Sequence, residues 1–211
     1  DSSDYSTIVD TIYEPNILGT AGTLLANQEW IASEPLLLIH ADNLCSVNLT
    51  DFMDAHVNRP SGTEMTMMTF TTDAPETCGV VDLNSDSVVQ GFYEKVADPP
   101  SSLANAAVYI IEPSVIDALL KEQDQISDFS LDVIPRYLGK INTFQNSRYH
   151  RDIGNIDSYL TAQLEYNADL NERRTAHSWK NIVLAEGFNH KILRSVSESL
   201  NAEFISSNQL K

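Results

Sequence analysis

The chain has little cysteine, little positive charge and no long apolar run, and each shortage excludes something. Two cysteines in 211 residues, Cys45 and Cys78, cannot build a disulfide scaffold, and neither stands in Cys-x-x-Cys spacing for zinc or redox work. A reducing, cytoplasmic setting is the expectation. Thirteen Lys and Arg face 30 Asp and Glu, a net charge of −17, which repels both a nucleic-acid backbone and an anionic bilayer. Cations are scarcest at the front, where Arg59 and Lys95 stand alone within residues 1–120. The longest apolar run, Leu36-Leu37-Leu38-Ile39, is far too short to span a membrane, and no basic-then-apolar leader opens the chain. Eight glycines and eight prolines are too few for a collagenous or low-complexity chain, and 42% hydrophobic residues can fill a core. The first residue is Asp1 rather than Met, so a segment upstream is expected.

What is present alternates between two periodicities. Residues 7–9 with Ile12 and Tyr13 read as a short strand, and Gly19-Thr20-Ala21-Gly22 opens a helix through Leu24, Leu25 and Trp30. Leu36-Leu37-Leu38-Ile39 reads as a strand buried on both faces, ending at Asp42. Leu49, Phe52, Met53 and His56 mark an amphipathic helix with Thr50 as its cap; residues 65–70 follow as a strand whose methionines are core. Residues 78–83 and 88–94 form a hairpin around Asn84-Ser85-Asp86-Ser87, and residues 105–111 are the next strand. Pro113 starts a helix, Asp128 caps another through Leu131, Val133, Ile134 and Tyr137, and residues 141–144 return as a strand before a helix over 156–166. This alternation predicts an α/β fold, a mostly parallel but mixed sheet flanked by helices over residues 1–170. Residues 171–211 read as an appended β-α-β piece, with strands at 182–185 and 204–205 and a helix over 190–200. In such sheets ligands bind beyond the C-terminal strand ends, where Asp42 stands.

Several short motifs occur in one order: Leu18-Gly19-Thr20-Ala21-Gly22, His40-Ala41-Asp42-Asn43, Cys78-Gly79-Val80-Val81, Phe92-Tyr93-Glu94-Lys95, Asn105-Ala106-Ala107-Val108-Tyr109 and Arg151-Asp152-Ile153-Gly154. Together, over roughly residues 8–166, they resemble the sugar-1-phosphate nucleotidylyltransferases, most of all mannose-1-phosphate guanylyltransferase-like proteins of envelope-polysaccharide pathways. The resemblance implies a Rossmann-like, nucleotide-diphospho-sugar transferase-like fold. It implies an enzyme that joins a sugar 1-phosphate to an NTP, giving a nucleotide-sugar and pyrophosphate, with guanine weakly preferred. Gly19, Thr20, Ala21 and Gly22 then approach the nucleotide, through free amides at a helix N-terminus. Asp42 and Asp152 hold Mg²⁺ between the phosphates, Glu94 and Lys95 take the sugar hydroxyls and phosphate, and Gly79 and Asn105 line the sugar pocket. Self-association into a homo-oligomer is compatible with it.

Each motif alone has a plainer reading: a glycine turn, a loop cap at Asp42, a solvated Arg151-Asp152 pair, a surface Glu94-Lys95 pair. Ala106 and Ala107 stand where glycine is frequent after the asparagine. The five histidines show no metal-ligand spacing and no Ser/His/Asp arrangement suggests acyl transfer, so neither type receives a role. The family's glycine-rich, arginine-bearing phosphate loop occurs nowhere in residues 1–211; the chain starts roughly where the third strand is expected. Phosphoryl chemistry depends on charge neutralisation, so two other readings stand beside the transferase. One is a non-catalytic nucleotide-sugar-binding subunit, the other a glycosyltransferase of related fold.

Overall fold

The computed structural model describes residues 11–31 and 33–166. The expected strand at 7–9 and the whole expected β-α-β piece at 171–211 lie outside them. Contacts divide the chain into two compact units, residues 1–163 and 164–211, and the fold below is that of the first. In chain order the elements are α1 (Thr20–Ala26), β1 (Leu36–Ile39), β2 (Asn43–Cys45), α2 (Leu49–Val57), β3 (Met65–Thr71), β4 (Gly79–Leu83), β5 (Val89–Glu94), β6 (Leu103–Ile111), α3 (Pro113–Leu120), β7 (Ile141–Gln145), β8 (His150–Asp152) and α4 (Ile156–Glu165).

Strand β6 organises the sheet because it is long enough to have three neighbours. Along one edge it pairs antiparallel with β3; along the other its C-terminal half pairs with β1, while Ala104 meets Val80 of β4. The remaining order is β5-β4-β6-β3-β7, with β4–β5 an antiparallel hairpin and β3–β7 parallel. The sheet is therefore mixed: β1, β3, β4 and β7 run one way and β5 and β6 the other. The reversed β6 sits in the middle, so β3–β7 is the one parallel neighbour pair among the described strands. A separate two-stranded ribbon, β2 with β8, lies off this sheet.

Period-two alternation splits β3 and β6 between two apolar faces. Met65, Met67, Tyr109 and Ile111 pack under α1, α3 and the 129–137 turns, whereas Met68, Val108 and Ile110 pack with Phe52 of α2. The three strand methionines are fully buried, as expected. Pro113 supplies the first turn of α3, whose Val115, Ile116 and Leu119 face the core.

Some local expectations fail for identifiable reasons. Ile12 and Tyr13 form no strand. Strand β1 is not buried on both faces: Leu37 and Ile39 are 39% and 50% exposed, while Leu36 and Leu38 pack against the main core. Helix α2 is capped by Asn48, whose side chain accepts from the Thr50 amide, rather than by Thr50. Helix α1 stops at Ala26, and a 3-10 turn carries Trp30. Asp128 does act as a cap, but in place of an α-helix it caps a π turn over Phe129–Val133, succeeded by a 3-10 turn over Ile134–Tyr137. Pro135 has no N–H to continue an α-helix there.

Candidate active site

The two candidate metal carboxylates lie far apart in sequence and meet through the ribbon. Pairing of β2 with β8 sets Asn43 opposite Asp152, and one step beyond it the Ile153 amide donates to the Asp42 carbonyl at 2.7 Å. Asp42 occupies the turn after β1; Asp152 closes β8 and accepts the Gly154 amide at 2.7 Å on Oδ1. Gly154 lies between the two carboxylates. A Cβ there would stand 3.0 Å from Asp152 Oδ1 and 3.2 Å from Asp42 Oδ2. Both acids thus converge on one small volume, and hard carboxylate oxygens in that number suit Mg²⁺, which takes one or two of them and completes its shell with phosphates and water. No third His, Cys, Asp or Glu joins them as a ligand group among the described residues.

A cavity of about 450 Å³ opens beside this pair. Asp42, Gly79, Glu94, Lys95, Asn105 and Asp152, six residues singled out from sequence, all line it. The β4–β5 hairpin places Gly79 directly opposite Glu94. A side chain at Gly79 would strike the Phe92 ring at 2.5 Å and Glu94 Oε2 at 2.6 Å, so glycine is what lets Glu94 lie across the strand. Lys95 leaves the strand with φ 49° and a 67% exposed side chain, its Nζ 3.7 Å from Glu94 Oε1. Among the described residues it is the single Lys or Arg on the cavity, against Asp42, Glu94, Asp128 and Asp152.

Asn105 arrives through a bulge. Between Met67 and Thr69 of β3 the register of β6 slips, and Ala107 takes φ 52°, the left-handed region that glycine favours. The bulge turns the Asn105 amide inward, where Oδ1 accepts from the Ala107 amide and Nδ2 donates to the Tyr109 hydroxyl at 2.6 Å. Burial pushes the Tyr109 phenol far above its ordinary range, so it stays protonated. Asn105 is thereby fixed in place, with one N–H left over for a ligand.

The Gly19–Gly22 turn separates into two roles. Gly19 and Thr20 border a second, apolar groove of about 580 Å³ with Leu38, Ile39, Ala41 and Asp42. Ala21 and Gly22 do not reach it. Ala21 is wholly buried, and the Ala21 and Gly22 amides both donate to the Ser127 carbonyl, at 2.9 and 3.1 Å, so they are not free donors. Gly19 has φ 81°, and any side chain on it would collide with that same carbonyl. The Phe129 amide donates to Thr20 Oγ1, tying the turn to the 127–129 loop. Asp42 is common to both cavities.

The lining residues left without a site role from sequence include Asp128, Ser130 and two histidines, His40 and His150. The His40 amide donates to the Ala107 carbonyl, and the His150 ring packs against Phe70 with centroids 4.3 Å apart and planes tilted by 46°. Burial lowers His150 to about 4 against the opposing pull of Asp152, so its imidazole is neutral near pH 7. Each histidine stands two residues before a candidate carboxylate, the one signal in the sequence that marks them. Cys45, opposite His150 in the ribbon, is a free thiol raised by burial, and Cys78 is also free.

Residues 1–169 match the family model described as Nucleotidyl transferase. A glucose-1-phosphate adenylyltransferase of Thermotoga sp. (strain RQ2) is 28% identical over 158 residues, covering 70% of this chain and 37% of the relative. A mannose-1-phosphate guanyltransferase of Schizosaccharomyces pombe is 26% identical over 177 residues, covering 81% and 47%. A crystal structure of a putative glucose-1-phosphate thymidylyltransferase from Bacillus anthracis superposes with TM-score 0.63 at 19% identity, covering 74% of this chain and 65% of that one. The chain spans less than half the length of those two sequence relatives. With a family model covering residues 1–169, the chain belongs to the nucleotidyl transferase family.

Proposed function

We propose that the chain carries the sugar-phosphate half, and part of the nucleotide half, of an enzyme that joins a sugar 1-phosphate to an NTP. The observation that carries this reading is the position of Asp42, shared by the polar cavity of Lys95 and Glu94 and the apolar groove of Gly19 and Thr20. A phosphate joined to a sugar on one side and a nucleotide on the other has its charge where those spaces meet. The sugar lies against Gly79, Glu94 and Asn105, while the exposed ammonium of Lys95 pairs with its phosphate and orients it. A base lies flat on Leu38 and Ile39 beside Gly19 and Thr20. An oxygen of the sugar phosphate attacks the α-phosphorus, the bond to the β-phosphate breaks, and pyrophosphate leaves. Asp42 and Asp152 would hold Mg²⁺, which supplies charge neutralisation for the phosphates. A cavity with four carboxylates and one ammonium requires such a cation before it can accept a polyanion.

The cytoplasmic setting rests on the free cysteines; among the described residues no helix is long and apolar enough to cross a membrane. Guanine as the base and an envelope-polysaccharide precursor as the product belong to the same proposal and rest on the motif resemblance.

Pyrophosphate release from NTP and sugar 1-phosphate panels with Mg²⁺ tests the reading. Turnover that falls at least a hundredfold in Asp42→Asn and Asp152→Asn is the expected result. Tight nucleotide-sugar binding with no pyrophosphate release would instead establish a binding module. That second reading is favoured by one feature: among the described residues no Lys or Arg lines the groove beside Gly19 and Thr20. Sugar transfer to an acceptor, with no pyrophosphate formed, would identify a glycosyltransferase.

A further inference from the structure

Asp152 and the residue after Asp42 stand on a ribbon that shares no ladder with the main sheet: among the described strands, β2 and β8 pair only with each other. Each of its strands is three residues long, and a two-stranded ribbon of that size is marginal by itself, so its place is set by what fastens it to the sheet. Apolar contact supplies part of the fastening. Cys45 packs on the cluster around Phe52, and the His150 ring lies against Phe70. Such contact is non-directional and tolerates sliding, whereas the members of a binding constellation have to be held to within about 0.5 Å.

Directional bonds pin the ribbon at both ends. Near the aspartates, Asn43 Nδ2 donates to the Ala106 carbonyl of β6 at 3.0 Å and the Ile153 amide to the Asp42 carbonyl. At the far end one buried side chain, Asn146 just after β7, reaches the sheet and both ribbon strands. Its backbone amide donates to the Thr69 carbonyl of β3 at 2.7 Å. Its Nδ2 donates to the Ser46 carbonyl, directly after β2, at 3.1 Å, and its Oδ1 accepts from the Arg148 amide, two residues before β8, at 3.1 Å. Between those two arms the Ser46 amide donates to the Tyr149 carbonyl. Asn146 lines neither the polar cavity nor the apolar groove, so it touches no substrate in the proposed reaction. An apolar side chain would fill the same space beside Phe144 without the cost of withdrawing an amide from water.

We propose that Asn146 is a positioning residue for the Asp42 and Asp152 pair, holding the far end of the ribbon so that the two carboxylates stay aimed at one ion. The inference rests on the Mg²⁺ reading of that pair and deepens it. Asp42 is fixed by the main sheet, because β1 pairs with β6 and the His40 amide bonds the Ala107 carbonyl. Asp152 is fixed only through β8. Without the Asn146 side chain the ribbon is pinned at its near end alone and can pivot about the bond between Ile153 and Asp42, which turns the Asp152 carboxylate away from its partner.

The test is calorimetric titration of the chain with Mg²⁺, read beside urea melts. Asn146→Leu keeps most of the volume and Asn146→Ala serves should the larger side chain not fold; Asp152→Asn is the reference for the site. Ile116→Val, in the core under α3, is the control for lost stability alone. Both Asn146 variants are expected to bind Mg²⁺ about tenfold more weakly, as when a group that orients metal ligands is removed. Ile116→Val should lower the urea midpoint and leave Mg²⁺ affinity as it was. Unchanged affinity in the Asn146 variants, with Asp152→Asn still weakening it, overturns this inference and leaves the Mg²⁺ reading standing. An equal loss in Ile116→Val would make the effect one of stability and overturn the inference as well. Absence of Mg²⁺ binding by the parent chain, or binding indifferent to Asp152→Asn, overturns the Mg²⁺ reading and this inference with it.

Discussion

Single atoms decide much of this site, and glycines show it most directly. Gly79→Ala places a methyl group into the Phe92 ring and the Glu94 carboxylate. Phe92 packs on the main core and Glu94 lies across the strand, so both must move. Overpacking of this kind costs about 1–3 kcal/mol. We expect a lower urea midpoint and, because Glu94 is displaced, about tenfold weaker sugar-phosphate binding; an unchanged binding constant would show that Glu94 does not face the sugar. Gly154→Ala acts on a different property. Its methyl would crowd Asp42 Oδ2 and Asp152 Oδ1 without touching the core. Mg²⁺ affinity should fall several-fold while the unfolding midpoint stays within about 0.5 kcal/mol of the parent, and calorimetric Mg²⁺ titration beside a urea melt separates the two.

At the scale of elements, the end of α2 is joined to the sheet by one buried histidine. His56 bridges Thr66 of β3 and Glu112 at the end of β6, and the Arg59 guanidinium pairs with the same carboxylate. Burial, reinforced by Arg59, holds the His56 imidazole below its ordinary value of 6.5. Below about pH 6.5 the unfolded chain therefore binds a proton that the native chain refuses, and stability falls as pH falls. His56→Leu should cost about 1–3 kcal/mol at pH 7, because Thr66 and Glu112 each lose one hydrogen-bond partner while Arg59 still pairs with Glu112. It should also show a shallower decline between pH 7 and pH 5 than the parent; parallel curves in urea melts would place the titration elsewhere. The same scale shows what the sequence made legible. Elements with several periods of alternation, such as β3 and β6, could be read directly, as could the β4–β5 hairpin around Asn84. Strands β2 and β8 could not, because three residues carry no period, and they exist through each other. Direction was hidden for the same reason: nothing within β6 says that it runs against β1, β3 and β4. Asp42, Glu94, Lys95 and Asp152 could be found because short motifs surround them; Asp128, read only as a cap, could not. His40 and His150 could not either, since sequence shows only that each precedes an aspartate by two.

For the whole molecule the governing quantity is the charge of −17, which every phosphate-bearing substrate must approach. Lys95 attracts at contact, but the distant carboxylates repel over the range of the Debye length. Raising monovalent salt from about 10 mM to about 100 mM shortens that length from about 30 Å to about 10 Å. It therefore screens the distant repulsion more than the ammonium–phosphate contact, which acts over a few ångströms. With Mg²⁺ kept saturating, association of a sugar 1-phosphate should speed up a few-fold over that interval, opposite in sign to the response of a cationic nucleic-acid-binding surface. Stopped-flow association rates at two salt concentrations measure it. A rate that falls with salt would mean that the local field at the cavity mouth is positive. Lys95 and the Mg²⁺ that Asp42 and Asp152 would hold would then outweigh the distant carboxylates at the mouth.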